Sequence, residues 1–197
     1  MPVFRNRLDG PLRGPLAWLL TALLLGGCGP APEGGRFDVE QLDVNWSLGH
    51  LEVHFTQRLQ LSPEARDALQ HGVPLTVGVE LVLRDAHTQN RVLRERSFYE
   101  IRYLPLSEHY QLARIADDGQ DEVRTFPRLR HALAELSDLR LSVETGALPG
   151  GEYELLARSY LDKHRMPPPM RLPVLFSPHW THRSAWKSAA LEIEPGA

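Results

Sequence analysis

Nine histidines are the residues of this chain with the clearest capacity for chemistry, since neutral imidazole ligates metals and titrates near neutrality. Spacing limits what they can do. His50 and His54 lie four apart in an alternating, strand-like run. One face of a strand would place them about 13 Å apart, too far to share an ion. In His179-Trp180-Thr181-His182 the two imidazoles could chelate only with a third ligand from elsewhere, such as His164, and exposed loop histidines account for them better. His-Glu-x-x-His, Cys-x-x-Cys and EF-hand patterns are all missing from the sequence. The carboxylates are no more specific. Asp117-Asp118-Gly119-Gln120-Asp121-Glu122 reads as a solvated turn between two strands, and Glu152, Glu154 and Asp162 have no identifiable partner acid for glycoside hydrolysis. Neither Gly-x-Ser-x-Gly nor Gly-x-x-x-x-Gly-Lys occurs. The expectation is no catalytic residue, no metal and no cofactor. A cell-envelope hydrolase would need His164, His179 or His182 to converge with Asp162 or Glu154 in a cleft.

The single cysteine, Cys28, points to a different chemistry. Arg5, Arg7 and Arg13 form a basic stretch, and Leu16 to Leu25 is an apolar run of about 10 residues, the length of a signal-peptide core and well short of a membrane span. Leu25-Gly26-Gly27-Cys28 then resembles the lipobox of bacterial lipoproteins, in which the thiol is acylated and the chain is cut just before it. The organisation expected is residues 1–27 as lipoprotein signal peptide, 28–36 as lipidated N-terminus and flexible tether, and 37–195 as one domain. Gly29, where aspartate would favour inner-membrane retention, leans toward the outer membrane. More than one acyl chain on Cys28 would meet the requirement for stable anchoring. The chain from Cys28 onward has a net charge of −5, because the leader removes +2 from an overall −3. That argues against a nucleic-acid partner, which needs a clustered basic face.

Period-two patterning dominates after the tether. Leu42, Val44 and Trp46, then Leu51, Val53 and Phe55, flank Ser47-Leu48-Gly49-His50 as a hairpin with a four-residue turn. Leu75-Val77-Val79-Leu81-Leu83 is the clearest strand, with Val79 and Leu81 in the core and Glu80 facing the other way, where a lysine should be tolerated. Further strands are expected at Leu93–Tyr103, Tyr110–Ile115, Leu139–Val143, Tyr153–Leu161, Met170–Phe176 and Ala189–Ile193. One helix starts at Ser62-Pro63-Glu64 and runs to about Gln70. A second begins near Pro127 with the stripe Leu129, Leu133, Leu136. Met166-Pro167-Pro168-Pro169 reads as an extended loop. The fold class implied is mainly β: an antiparallel, Ig-like β-sandwich with two short helices.

Phe98, Tyr99, Tyr103, Tyr110 and Phe126 fall in strand patterns and belong to the core. Trp180 and Trp186 flank a polar segment, either packing an open end of the sandwich or facing a partner. Trp180, Arg183 and Trp186 are the candidate partner-binding residues, because His179, His182 and Ser184 around them are polar.

Tyr99-Glu100-Ile101, Leu106-Ser107-Glu108-His109-Tyr110, Phe126-x-x-Leu129-Arg130-x-Ala132-Leu133, Arg158-Ser159-Tyr160-Leu161-Asp162, Arg171-Leu172-Pro173, Trp180 and Ser184-x-Trp186 together resemble domain-of-unknown-function family 4390 of proteobacteria, over about residues 37–194. The resemblance implies a secreted or membrane-attached envelope protein with no catalytic residue to carry over. It also implies a possible link to a neighbouring sensor kinase. The function expected is a non-catalytic binding or accessory module at a membrane surface, facing the periplasm. Its partners would be the membrane, through the lipid anchor, and an envelope protein such as a sensor kinase.

Overall fold

A computed structural model describes residues 34–115 and 122–194. The leader, Cys28 and most of the tether lie outside the described residues, as does the acidic run Asp117–Asp121. Every described residue belongs to the compact unit Glu33–Ala197. No helix among them is long and apolar enough to cross a membrane.

Among the described residues, alternating apolar positions generate nine strands: β1 (Arg36–Ser47), β2 (His50–Gln60), β3 (Leu75–Asp85), β4 (Arg91–Leu104), β5 (His109–Ile115), β6 (Glu122–Phe126), β7 (Asp138–Glu144), β8 (Gly151–Leu161) and β9 (Lys187–Ile193). They form two sheets with every pairing antiparallel. One has the order β1-β2-β7 and the other β6-β5-β4-β3-β8-β9. The fold is the mainly β sandwich that the alternation implies. Its interior is one apolar cluster drawn from both sheets, with Phe37, Leu51 and Phe55 from the small sheet against Leu81, Leu83, Ile101 and Leu155 from the large one. Val79 and Leu81 are both buried, as their register demands.

The β1–β2 loop is tighter than a four-residue loop. Ser47 pairs with His50, leaving only Leu48 (φ 52°) and Gly49 (φ 81°), both in the left-handed region that two-residue hairpins matching strand twist require.

Among the described residues three α-helices accompany the strands, one more than expected. Helix α1 (Pro63–Gln70) starts as read: the Ser62 side chain accepts from the Ala65 amide at 3.2 Å and Pro63 takes the first turn. Helix α2 (Leu129–Ser137) buries Ala132 and Leu136, while Leu129 and Leu133 are half-buried. Helix α3 (Pro168–Phe176) corrects two readings, the extended proline loop and the strand at Met170–Phe176. Prolines at a helix start sacrifice only amides that have no intrahelical partner, and their fixed φ already suits the first turn. Strand β6 was masked in the sequence by Glu122, Arg124 and Thr125; it is an exposed edge strand pairing only with β5.

Candidate functional site

The C-terminal segment from Trp180 to Trp186 splits into a buried half and an exposed half. After β8 the chain makes a 3₁₀ turn (Lys163–Arg165), then α3, then a second 3₁₀ turn (Pro178–Trp180), and returns to β8. There the Leu161 amide donates to the His182 carbonyl at 2.9 Å, and the Ser184 amide to the Ser159 carbonyl at 2.9 Å. This return buries Trp180, His182 and Ser184. Trp180 is only 7% exposed and His182 only 2%. Two expectations are corrected here: Trp180 is not on a partner-facing surface, and His182 is not an exposed loop histidine.

His182 holds parts of the fold together. Its Nε2 accepts from the Ser62 amide at 2.9 Å, beside the α1 cap, and its ring meets Phe37 edge-on at 5.4 Å between centroids. The backbone of Gly35 lies directly on the imidazole, so that a side chain there would overlap the ring. An acceptor role for Nε2 places the imidazole proton on Nδ1. Burial lowers the His182 pKa, and the Lys163 charge adds to this, against an opposing effect of the Trp180 carbonyl.

The other histidines are dispersed. His179 pairs with Glu64 at 3.5 Å, and His54 with Asp138 at 2.8 Å. His164 sits in the 3₁₀ turn that Asp162 caps. No group of three His, Cys, Asp or Glu residues able to hold a metal occurs among the described residues. Glu154 is engaged by Arg84, whose Nε and Nη2 donate to one carboxylate oxygen at 2.9 and 2.7 Å. Glu152 lies 3.6 Å from His87.

The charged centre of the molecule is one that sequence reasoning passed over. Strand β3 runs between β4 and β8, and its outward residues Gly78 and Glu80 are covered from both sides. Glu80 lies opposite Arg96 on β4 and Arg158 on β8. Arg94 donates through Nε at 2.5 Å and Arg96 through Nε at 3.3 Å to Oε1, while Arg158 donates through Nε at 2.7 Å and through Nη2 to Oε2. The carboxylate is 1% exposed although it points away from the sandwich interior. Long guanidinium stems roof it. Burial alone would raise its pKa, but hydrogen bonds from Arg158 and Arg94 outweigh this and keep it below the ordinary carboxylate range. One negative charge thus meets three positive ones.

Aromatic rings frame this cluster. The missing side chain of Gly78 makes room for the Tyr160 ring, whose Cζ would stand 2.6 Å from a Cβ at that position. The Arg158 guanidinium lies 4.3 Å from the Trp186 ring centroid and 5.8 Å from that of Tyr160, and Arg165 lies 4.0 Å from that of Phe98. Of the three sequence-selected residues, Arg183 and Trp186 are exposed, Trp186 by 43%. The signal that could have found Glu80 is a lone acid in the best apolar strand of a chain rich in arginine.

These features define a class: a mainly β sandwich whose larger sheet turns an arginine and aromatic surface outward. The chain belongs to the family described as Domain of unknown function (DUF4390), whose model matches residues 35–190. No curated protein and no solved structure matches it.

Proposed function

We propose that this domain is a non-catalytic binding module of the bacterial cell envelope, held to a membrane through Cys28, and that its recognition surface is the outward face of the six-stranded sheet. The observation that carries the reading is the charge excess around Glu80. One carboxylate cannot neutralise Arg94, Arg96 and Arg158, so a local excess of two positive charges surrounds Glu80 beside Trp186, while Glu100 and Glu154 elsewhere on this face are paired with Arg102 and Arg84. Guanidinium groups bind carboxylates with directional, paired hydrogen bonds, and arginine and tryptophan are enriched among the residues that dominate protein interfaces. The partner that fits is a protein presenting acidic side chains. The family resemblance makes the periplasmic part of a sensor kinase the first bait to try.

The experiment is capture from solubilised envelopes with the tagged full-length protein, comparing wild type with Trp186→Ala and Arg96→Ser. Arg96 makes the longest of the Glu80 contacts, so its loss should disturb the cluster least. A reproducible partner that both substitutions release, at nearly unchanged melting temperature, supports the reading. Undiminished capture by both variants overturns it. Attachment is tested separately by fatty-acid labelling of wild type and Cys28→Ala, where equal labelling would exclude the anchor.

A further inference from the structure

We infer that the end of the sandwich from which the tether leaves is a lipid-facing surface that binds anionic phospholipid headgroups. Gly35, packed on His182, fixes that exit point beside the segment Asp162–Arg183. The segment carries Lys163, Arg165, Arg171 and Arg183 against the single acid Asp162, with Glu64 of α1 paired to its His179 at 3.5 Å. Its charge is +3, which leaves −8 on the rest of the −5 chain from Cys28 onward. Asp162 is already committed: it accepts from the His164 amide at 3.0 Å and lies 3.6 Å from Arg165. A concavity lined by Lys163, His164, Thr181 and Arg183 opens at this end. Phe176, at the last turn of α3, is 85% exposed. A bare aromatic ring among cations is the composition that seats a surface on a bilayer interface, with the ring entering the headgroup layer and the cations meeting anionic lipid.

Geometry supplies the occupant. Seven chain steps separate Cys28 from Gly35, a reach of at most about 25 Å. This step rests on the reading of Cys28 as the lipid-bearing residue. With that short a tether, the end carrying Gly35 is the part of the domain that reaches the bilayer with the least extension of the chain. The field of anionic lipid fades within a Debye length of about 8 Å, so cations placed anywhere else on the domain would feel little of it.

The test uses the chain from Gly29 onward, which keeps the compact unit Glu33–Ala197 and lacks both leader and lipid. It is sedimented with vesicles of phosphatidylglycerol mixed with phosphatidylcholine, and with vesicles of phosphatidylcholine alone. The result expected is binding to the anionic vesicles that weakens with salt, falls at least about fivefold in Arg183→Glu, and falls again in Phe176→Ser. Both side chains are exposed, so both variants should melt like the parent. Absence of binding to anionic vesicles, equal binding to both kinds, or indifference to both substitutions overturns the inference. So does release of a captured protein by Phe176→Ser without any vesicle binding, which would make this end a protein interface. Trp186→Ala should leave vesicle binding unchanged while releasing the captured partner, so the two surfaces fail separately. Loss of vesicle binding in Trp186→Ala would assign the effect to the sheet face and overturn the inference.

Discussion

Both sheets turn charge toward solvent, and they do it in opposite ways. On the small sheet, His54 meets Asp138 at 2.8 Å, Arg58 meets Glu40 at 2.6 Å, and Ser142 donates to Glu52 at 2.5 Å, all among exposed groups. On the large sheet a single carboxylate sits beneath three arginines and beside two aromatic rings. Strands β2 and β3 are both central in their sheets, so position alone does not explain the contrast. The neighbours do. Flanking β3, Arg94, Arg96 and Arg158 converge from both sides on one carboxylate and close over it, whereas the middle of the outward face of β2 is flanked by the short Asp43, Asn45, Ser142 and Asp138 and by a single arginine, Arg140. Alternation therefore tells which way a residue points, and neighbour length decides whether pointing outward means meeting water.

Glu80→Lys should break this contrast most sharply. It would set a fourth cation among three, under a roof that excludes water, and removing one partner of a buried pair already costs about 3–5 kcal/mol. Thermal melting should show a loss at least as large as that of Val79→Asp; a mild effect would mean that the roof is open. Gly35→Ala comes next, at about 1–3 kcal/mol, because the new methyl must displace His182 and with it the Ser62 hydrogen bond. Gly78→Ala should cost a similar or smaller amount by lifting the Tyr160 ring off the strand. Each is read by denaturant unfolding, and full stability in either glycine variant would contradict the close packing described. His54→Ala should be smallest, below about 1 kcal/mol, as for an exposed ion pair.

Acid separates two of the buried titratable groups, His182 and Glu80. The native pKa of His182 is depressed, so its contribution is complete above the unfolded value near 6.5 and is lost as pH falls through that value toward the native one. Glu80 is also depressed, but as a carboxylate its contribution is present above the unfolded value near 4.3 and is lost only as pH falls below that, through the native value. Melting temperatures between neutrality and about pH 5 should therefore decline in wild type and decline less in His182→Asn. An equal decline in both would place the sensitivity elsewhere.

The sequence was most readable where one rule acted alone. Leu75 to Leu83 gave strand, face and core together, and Ser62-Pro63 gave a helix start, because apolar alternation and cap chemistry are local. Glu80 was placed on the correct face with the wrong environment, since its burial comes from arginines on two other strands. Trp180 and His182 were misplaced for a related reason. Polar neighbours look solvated until a distant strand edge takes up their hydrogen bonds, as β8 does for the segment around Ser184. Prolines at 167–169 fit a loop and a first helical turn equally well, and only packing distinguishes them.

The contact between Gly35 and His182 also sets an order of events. Ser62 waits for an imidazole that follows it by 120 positions, and β3 cannot complete its pairing before β8 arrives. Such distant pairings make closure slow and leave strand edges open while the chain is incomplete. A chain delivered from its N-terminus would hold the β1–β2 hairpin early, yet stay unlatched until the segment around His182 had emerged. The terminus nearest the tether is thus among the last parts of the domain to become rigid.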